Sequence, residues 1–260
     1  MSQASAILTI AQRDFTKLLR DRPRIVGTLI LPLFLVLLLG GTFNLSFGHA
    51  VGYDFLVFTF TGVFAQTLWQ SSALGIISLI EDRENDFSQE IFVSPISRYS
   101  IVFGKILGES LVALPQGLAI LLLVLALRVP LGVDQILGLV WTSVVVCLFG
   151  GAFGLLMLSG IRSQRTAQQV VFPFIMLPQF FLAGVFNPIQ GMPWYFDAAS
   201  RIAPMRYAVD LTRGVFYAGR PEYERVVLDG VATNLLVITA VFAVCMVVGT
   251  LLFVRAERNR

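Results

Sequence analysis

Charge is what this chain is short of. Only 13% of its 260 residues are Asp, Glu, Lys or Arg, against roughly a quarter in a soluble domain, and the shortage is uneven. Six stretches (25–53, 55–80, 110–127, 135–161, 166–196 and 230–254) contain none of the four. With 56% of residues hydrophobic, a water-soluble fold is excluded, because a globule of this size cannot hide that much apolar surface. The apolar runs are continuous and do not alternate, so a transmembrane β-barrel does not fit either. Histidine is reduced to His49, which excludes a His-based metal cluster within the chain and argues against a Ser-His-Asp site. The two cysteines, Cys147 and Cys245, lie inside apolar runs and read as small buried hydrophobes. A phosphate-binding loop is missing as well. The one Gly-Lys pair, Gly104-Lys105, is followed by Ile106, and position 99 is Tyr, so Gly-x-x-x-x-Gly-Lys-Ser/Thr is not met. The chain is expected not to be an enzyme and to hold no cofactor of its own.

What is present is enough length to cross a bilayer repeatedly. About 20 helical residues at ~1.5 Å rise span the ~30 Å hydrocarbon core. The prediction is an all-α membrane protein with six transmembrane helices, at about 25–47, 55–80, 99–127, 135–161, 166–187 and 231–254. With the N-terminus placed in the cytoplasm, the inner segments hold thirteen Lys and Arg and the outer segments six. The positive-inside rule therefore puts both termini in the cytoplasm. These basic residues flank apolar runs and form no single patch, so nucleic-acid binding is not expected. The apolar run after residue 24 is too long for the core of a signal peptide, and it is expected to remain as the first span.

Before that span, Ile7, Leu8, Ala11, Phe15, Leu18 and Leu19 form an apolar stripe opposite Gln12, Arg13, Thr16, Lys17 and Arg20. This is the pattern of a helix lying in the membrane interface, predicted over 1–24, with Arg13, Phe15, Lys17 and Leu18 as its contact residues. Pro32, Pro115, Pro173 and Pro178 predict kinks within spans. Gly150 and Gly154 have the spacing that lets two helices approach closely. After the fifth span, Pro193 and Pro204 punctuate two pieces too short to cross, predicted as outer, re-entrant helices over 192–217. Their charges are expected to face an outer vestibule or the lipid headgroups.

Between the second and third spans the chain reads Glu84-Asn85-Asp86-Phe87-Ser88-Gln89-Glu90-Ile91-Phe92-Val93-Ser94-Pro95-Ile96-Ser97-Arg98. Acidic side chains suit a helix N-terminus. Phe87, Ile91 and Phe92 share one face, and Pro95 ends the helix. A short cytoplasmic helix over 82–94 with an aromatic knob fits a groove on a soluble partner. This run, followed by Phe103-Gly104-Lys105-Ile106-Leu107-Gly108, resembles the permease subunits of ABC-2 type transporters, nearest the branch of daunorubicin-resistance and related drug or lipid exporters. Phe181 to Pro188 and Ala203 to Asp210 resemble the same family's fifth-span end and outer helices. Asp86 stands where the family usually has Gly.

The resemblance implies pairing with a second permease copy, identical or a close paralogue, and with ABC nucleotide-binding subunits that bind ATP and Mg. It implies that Glu84, Asp86, Phe87, Glu90, Ile91, Phe92 and Val93 couple the ATPase to the spans. The expected function is the permease half of an ATP-driven exporter in the bacterial cytoplasmic membrane, in contact with membrane lipid and moving an amphipathic drug-like or lipid-like substrate outward. Absence of ionisable residues from the span cores argues against ion-coupled transport. Phe58, Phe64, Gln66, Trp69, Gln70, Phe174, Gln179 and Phe180 are expected to line the path. Export of a lipid-linked polysaccharide and a non-ABC membrane scaffold or enzyme are the alternatives.

Overall fold

The computed structural model describes residues 3–45, 52–84, 97–129, 131–161 and 163–258, and every element among them is helical. Helix α1, Gln3–Arg20, is separated by Asp21 from α2, Arg22–Phe34. The latter runs on through a π-helical segment, Leu35–Gly40, to residue 45. Pro32 removes a backbone donor just before that segment, a common cause of such local widening. Helix α3, Phe55–Gly75, starts at Asp54, whose carboxylate accepts from the amides of Leu56 (2.8 Å) and Val57 (3.1 Å), a side-chain N-cap. After Ile76 it continues as α4, Ile77–Glu84. Ser97 caps α5, Arg98–Ala126, by accepting from the amide of Ser100 at 3.1 Å. Helix α6 is Val133–Leu158.

Among the described residues five helices are long and apolar enough to cross a membrane: Ile25–Leu45, Phe55–Asp82, Arg98–Ala126, Val133–Leu158 and Tyr223–Ala256. The stretch expected as the fifth of six spans is built differently. It is helical from Gln164 to Leu182, but as three joined pieces: α7, Gln164–Val171, a π-helical turn, Phe172–Met176, and α8, Leu177–Leu182. Pro173 and Pro178 each remove a donor, and Gln164, Arg165, Gln168 and Gln169 make its first turns polar. Then come α9, Trp194–Ile202, α10, Pro204–Phe216, the single turn α11, Tyr223–Val226, and α12, Val231–Arg258.

The second span is the centre of the bundle. Of its most apolar stretch 72% is buried, against 17% for the first span. Helices α5, α6 and α10 all pack against α3. Helix α6 comes closest through Gly150 and Gly154, where a methyl group would collide with the carbonyl oxygens of Trp69 and Ala73. The first span instead turns Ile30, Leu31 and Phe34 outward, and α12 exposes Leu236, Val244 and Val247. Those surfaces suit lipid or another hydrophobic chain rather than water.

Candidate functional site

Two features at one end of the bundle, and a third at the other, hold the polar chemistry. At the first end α1 lies against α5, where Gly104 and Gly108 leave room for Ile7, Ile10, Ala11 and Asp14. Asp14 is buried and meets Lys105, buried in turn, at 3.0 Å. The Lys105 ammonium also reaches Asp82 at 3.1 Å and Glu109 at 4.0 Å. Arg13 bonds Asp82 at 2.6 Å and Asp14 at 3.0 Å. Burial pulls the Arg13 guanidinium down, but the bond to Asp82 and the charges of Asp82 and Asp14 outweigh it, and the net direction is up. Lys17 faces Glu81 at 3.4 Å, and the Ser78 hydroxyl donates to Glu109 at 2.6 Å. A buried ammonium is tolerable only when paired, and here the pairing ties three helices together.

The same α1 reaches the far side of the 85–96 segment. The Gln3 side-chain oxygen accepts from the Ser97 amide at 3.1 Å and from the Ser100 hydroxyl at 2.7 Å. One helix thus holds Glu81 and Asp82 on one side of that segment and Ser97 and Ser100 on the other.

Beside this cluster a cleft of about 670 Å³ opens between the first, second and third spans and α7. Gln66, Gln70, Ser71, Gln116 and Gln168 supply its polar wall, and Leu31, Leu35 and Phe172 an apolar one. The Gln66 amide donates to the Gln70 side-chain oxygen, and the Gln116 amide to the Ser71 hydroxyl at 2.8 Å. The Gln66 side-chain oxygen and the Thr67 hydroxyl are buried with no hydrogen-bond partner among the described residues.

At the opposite end Arg213 is fully enclosed. It donates to the carbonyls of Gly184 (2.9 Å), Val185 (3.0 Å) and Phe58 (3.4 Å), and its guanidinium lies 3.7 Å from the centre of the Phe58 ring. Asp210 accepts at 2.8 Å from each of the Leu228 amide, the Asp229 amide and the Asn234 side chain. Arg206 holds Asp197 at 2.7 Å and the Ser200 hydroxyl at 2.9 Å. These three charges do not face a vestibule or headgroups as expected from the sequence; Arg206, Asp210 and Arg213 are buried in protein. The physical reason is that polar groups away from water need partners: Arg213 serves the carbonyls of the irregular turn at Gly184 and Val185, Asp210 serves the amides of Leu228 and Asp229, and Arg206 pairs with Asp197.

The sequence profile of the ABC-2 type transporter family matches residues 5–217. The chain belongs to that family. Over 141 residues it is 29% identical to "Probable multidrug ABC transporter permease YbhR" of Escherichia coli, a match covering 54% of this chain and 38% of YbhR. It is 23% identical over 214 residues to ycf38 of Cyanophora paradoxa, named as a transport permease, covering 81% of this chain and 73% of that protein. It is also 23% identical over 195 residues to Nodulation protein J of Rhizobium meliloti, covering 74% and 73%. The ABC-2 chain is thus a multi-pass membrane protein of a family of transport permeases, and it spans well under two thirds of the length of YbhR.

Within this ABC-2 permease the expected coupling residues Asp86, Phe87, Glu90, Ile91, Phe92 and Val93 lie outside the described residues, while Glu84 ends α4. Of the α1 residues, Arg13 and Lys17 join the ionic cluster, Leu18 is buried and Phe15 half-buried. Of the residues expected on the path, Gln66 and Gln70 line the cleft. Phe58 lies under Arg213, Phe64 packs on Phe60, and Trp69 packs on Phe149 and Phe153 inside the bundle. Gln179 accepts from the Met205 amide at 3.3 Å, Phe180 packs on Phe181 and Phe186, and Phe174 is exposed. Sequence reasoning missed Asp14, Asp82, Gln116 and Gln168. Asp14 had a signal. It sits seven residues after Ile7 and four before Leu18, on the apolar stripe, where an acid needs a buried cation.

Proposed function

We propose that this permease is the membrane half of an ATP-driven exporter, moved by a separate ABC ATPase that docks on the 82–94 segment from the cytoplasm. It works as a dimer with a second permease copy and carries an amphipathic drug-like or lipid-like substrate out of the cytoplasm or inner leaflet. The observation that supports this reading is the hold of α1 on both sides of that segment. A push on the loop is delivered to Asp82 and to Ser97, and α1 turns both displacements into one motion of the second and third spans. Helices joined by buried ion pairs transmit such a push because each buried charge must keep a partner as the helices move. The energy comes from the partner's ATP; this chain's residues bind, position and transmit.

The test is transport by the permease reconstituted with its ATPase in vesicles. Phe87→Asp is expected to leave the complex assembled in the bilayer while cutting ATP-dependent transport at least about tenfold, a change of ~1.4 kcal/mol in coupling. Unchanged transport would overturn the docking role.

A further inference from the structure

The cleft along the second span is chemically narrower than its size requires. We propose that it binds the polar head of the transported amphiphile and selects a neutral, hydroxyl-rich head, of the glycosyl or polyol class, over an anionic one. The proposal rests on the exporter reading and adds the substrate class.

The cleft extends from Gln66 to Glu81, fifteen residues or about 22 Å of helix, so it runs from the middle of the second span to the end carrying α1. Its volume of about 670 Å³ lies within the ~300–1,000 Å³ of small-molecule sites. The polar wall is made of neutral amides and hydroxyls, each able to donate and accept. That two-way capacity matches a sugar or polyol, whose hydroxyls also do both. The buried Gln66 oxygen and Thr67 hydroxyl, lacking partners among the described residues, are acceptors that a ligand hydroxyl satisfies. Among the described residues bordering the cleft there is no Lys or Arg, and their one ionised group is Glu81 at the α1 end, itself facing Lys17. An anionic head moving toward Gln66 would leave water without meeting a cation, a costly transfer. Leu31, Leu35 and Phe172 give the tail an apolar wall.

The test uses the full chain with its ATPase in detergent-free lipid nanodiscs, without nucleotide. The probe is dodecyl maltoside bearing a diazirine on its chain. Photolabelling is expected within 27–35, 66–78 and 164–172, with unlabelled dodecyl maltoside competing about tenfold more strongly than dodecyl phosphate. Gln70→Leu and Gln116→Leu are each expected to weaken maltoside competition about tenfold and leave that of dodecyl phosphate unchanged; Gln70 is half-buried, so its variant is the safer fold. Equal competition by the two heads, preference for the phosphate, or labels confined to other segments overturns the proposal. Binding is read without ATP, so a failure of transport with selective labelling intact sinks the exporter reading and leaves the head selection standing.

Discussion

Lys105 and Arg213 are both buried cations, and the bundle handles them in opposite ways. Lys105 is surrounded by carboxylates contributed by three helices, Asp14, Asp82 and Glu109. Arg213 meets no carboxylate at salt-bridge distance among the described residues; it is held by three carbonyl oxygens and the face of Phe58. An ammonium is a compact point charge that can change partners by small rotations, whereas a guanidinium is a rigid planar fork. The α1 end is therefore built from contacts that can exchange as helices shift. The other end is pinned. On the proposed reading, in which force arrives from one side of the membrane, that asymmetry supplies a movable joint at the receiving end and a fixed cap where irregular backbone must stay sealed.

The largest expected effect comes from removing the cation of the movable joint. Lys105→Met removes the buried ammonium and leaves Asp14 and Asp82 to share Arg13, with Glu109 nearby, and breaking a buried pair from one side costs about 3–5 kcal/mol. Thermal unfolding followed by fluorescence-detected size exclusion should show a large loss. The double variant Lys105→Met with Asp14→Leu should recover part of it, because one stranded carboxylate is gone. A double variant no more stable than the single would mean that Asp14 and Lys105 are not coupled.

Little of this joint was legible in the sequence, although the spans were. Lipid demands about 20 apolar residues per crossing, a signal long enough to survive uncertainty at each end, as for α12, whose helix continues to Arg258. Lys105 and Glu109, four apart on one helix, could be read as partners, yet they stand 4.0 Å apart while Asp14 and Asp82 come nearer. Those nearer contacts join residues 91 and 23 positions distant in sequence, and no local period reports them. The cleft was half legible. Gln66 and Gln70 share a helix face, but Gln116 and Gln168 come from other helices. Prolines marked the starts of α9 and α10, with Pro193 and Pro204 at their first turns. The burial of the α10 charges did not follow from their letters, because it depends on which carbonyls the neighbouring turn leaves free.

Removing the cation of the fixed cap should cost less, and should not be repaired by removing an acid. Arg213→Met leaves the carbonyls of Gly184 and Val185 short of a buried donor, at about 1–3 kcal/mol for an unsatisfied group. Arg213→Lys should recover little, since an ammonium lacks the planar fork and the face that stacks on Phe58. Limited proteolysis is expected to open the 184–192 turn in both variants. Intact resistance in Arg213→Lys would show that charge alone, and not the fork, seals that end.

The smallest expected effect is at the rim of the cap and is one of pH. Hydrogen bonds from Arg206 and Arg201 hold the Asp197 carboxyl below its ordinary value. A carboxylate depressed in the folded state stabilises it fully above the unfolded pKa, near about 3.9, and that stabilisation is lost as pH falls through the folded value. Asp197 is open to solvent, so the gain is modest. Trp194, exposed at the start of the same helix and edge-on to Tyr195, is the reporter. Its emission is expected to be flat near neutrality and to change with a midpoint below that of a free aspartate, and Asp197→Asn should abolish the change. A titration that persists in Asp197→Asn would assign it to another carboxylate, and the clamp from Arg206 to α9 would then play no part in fixing the cap.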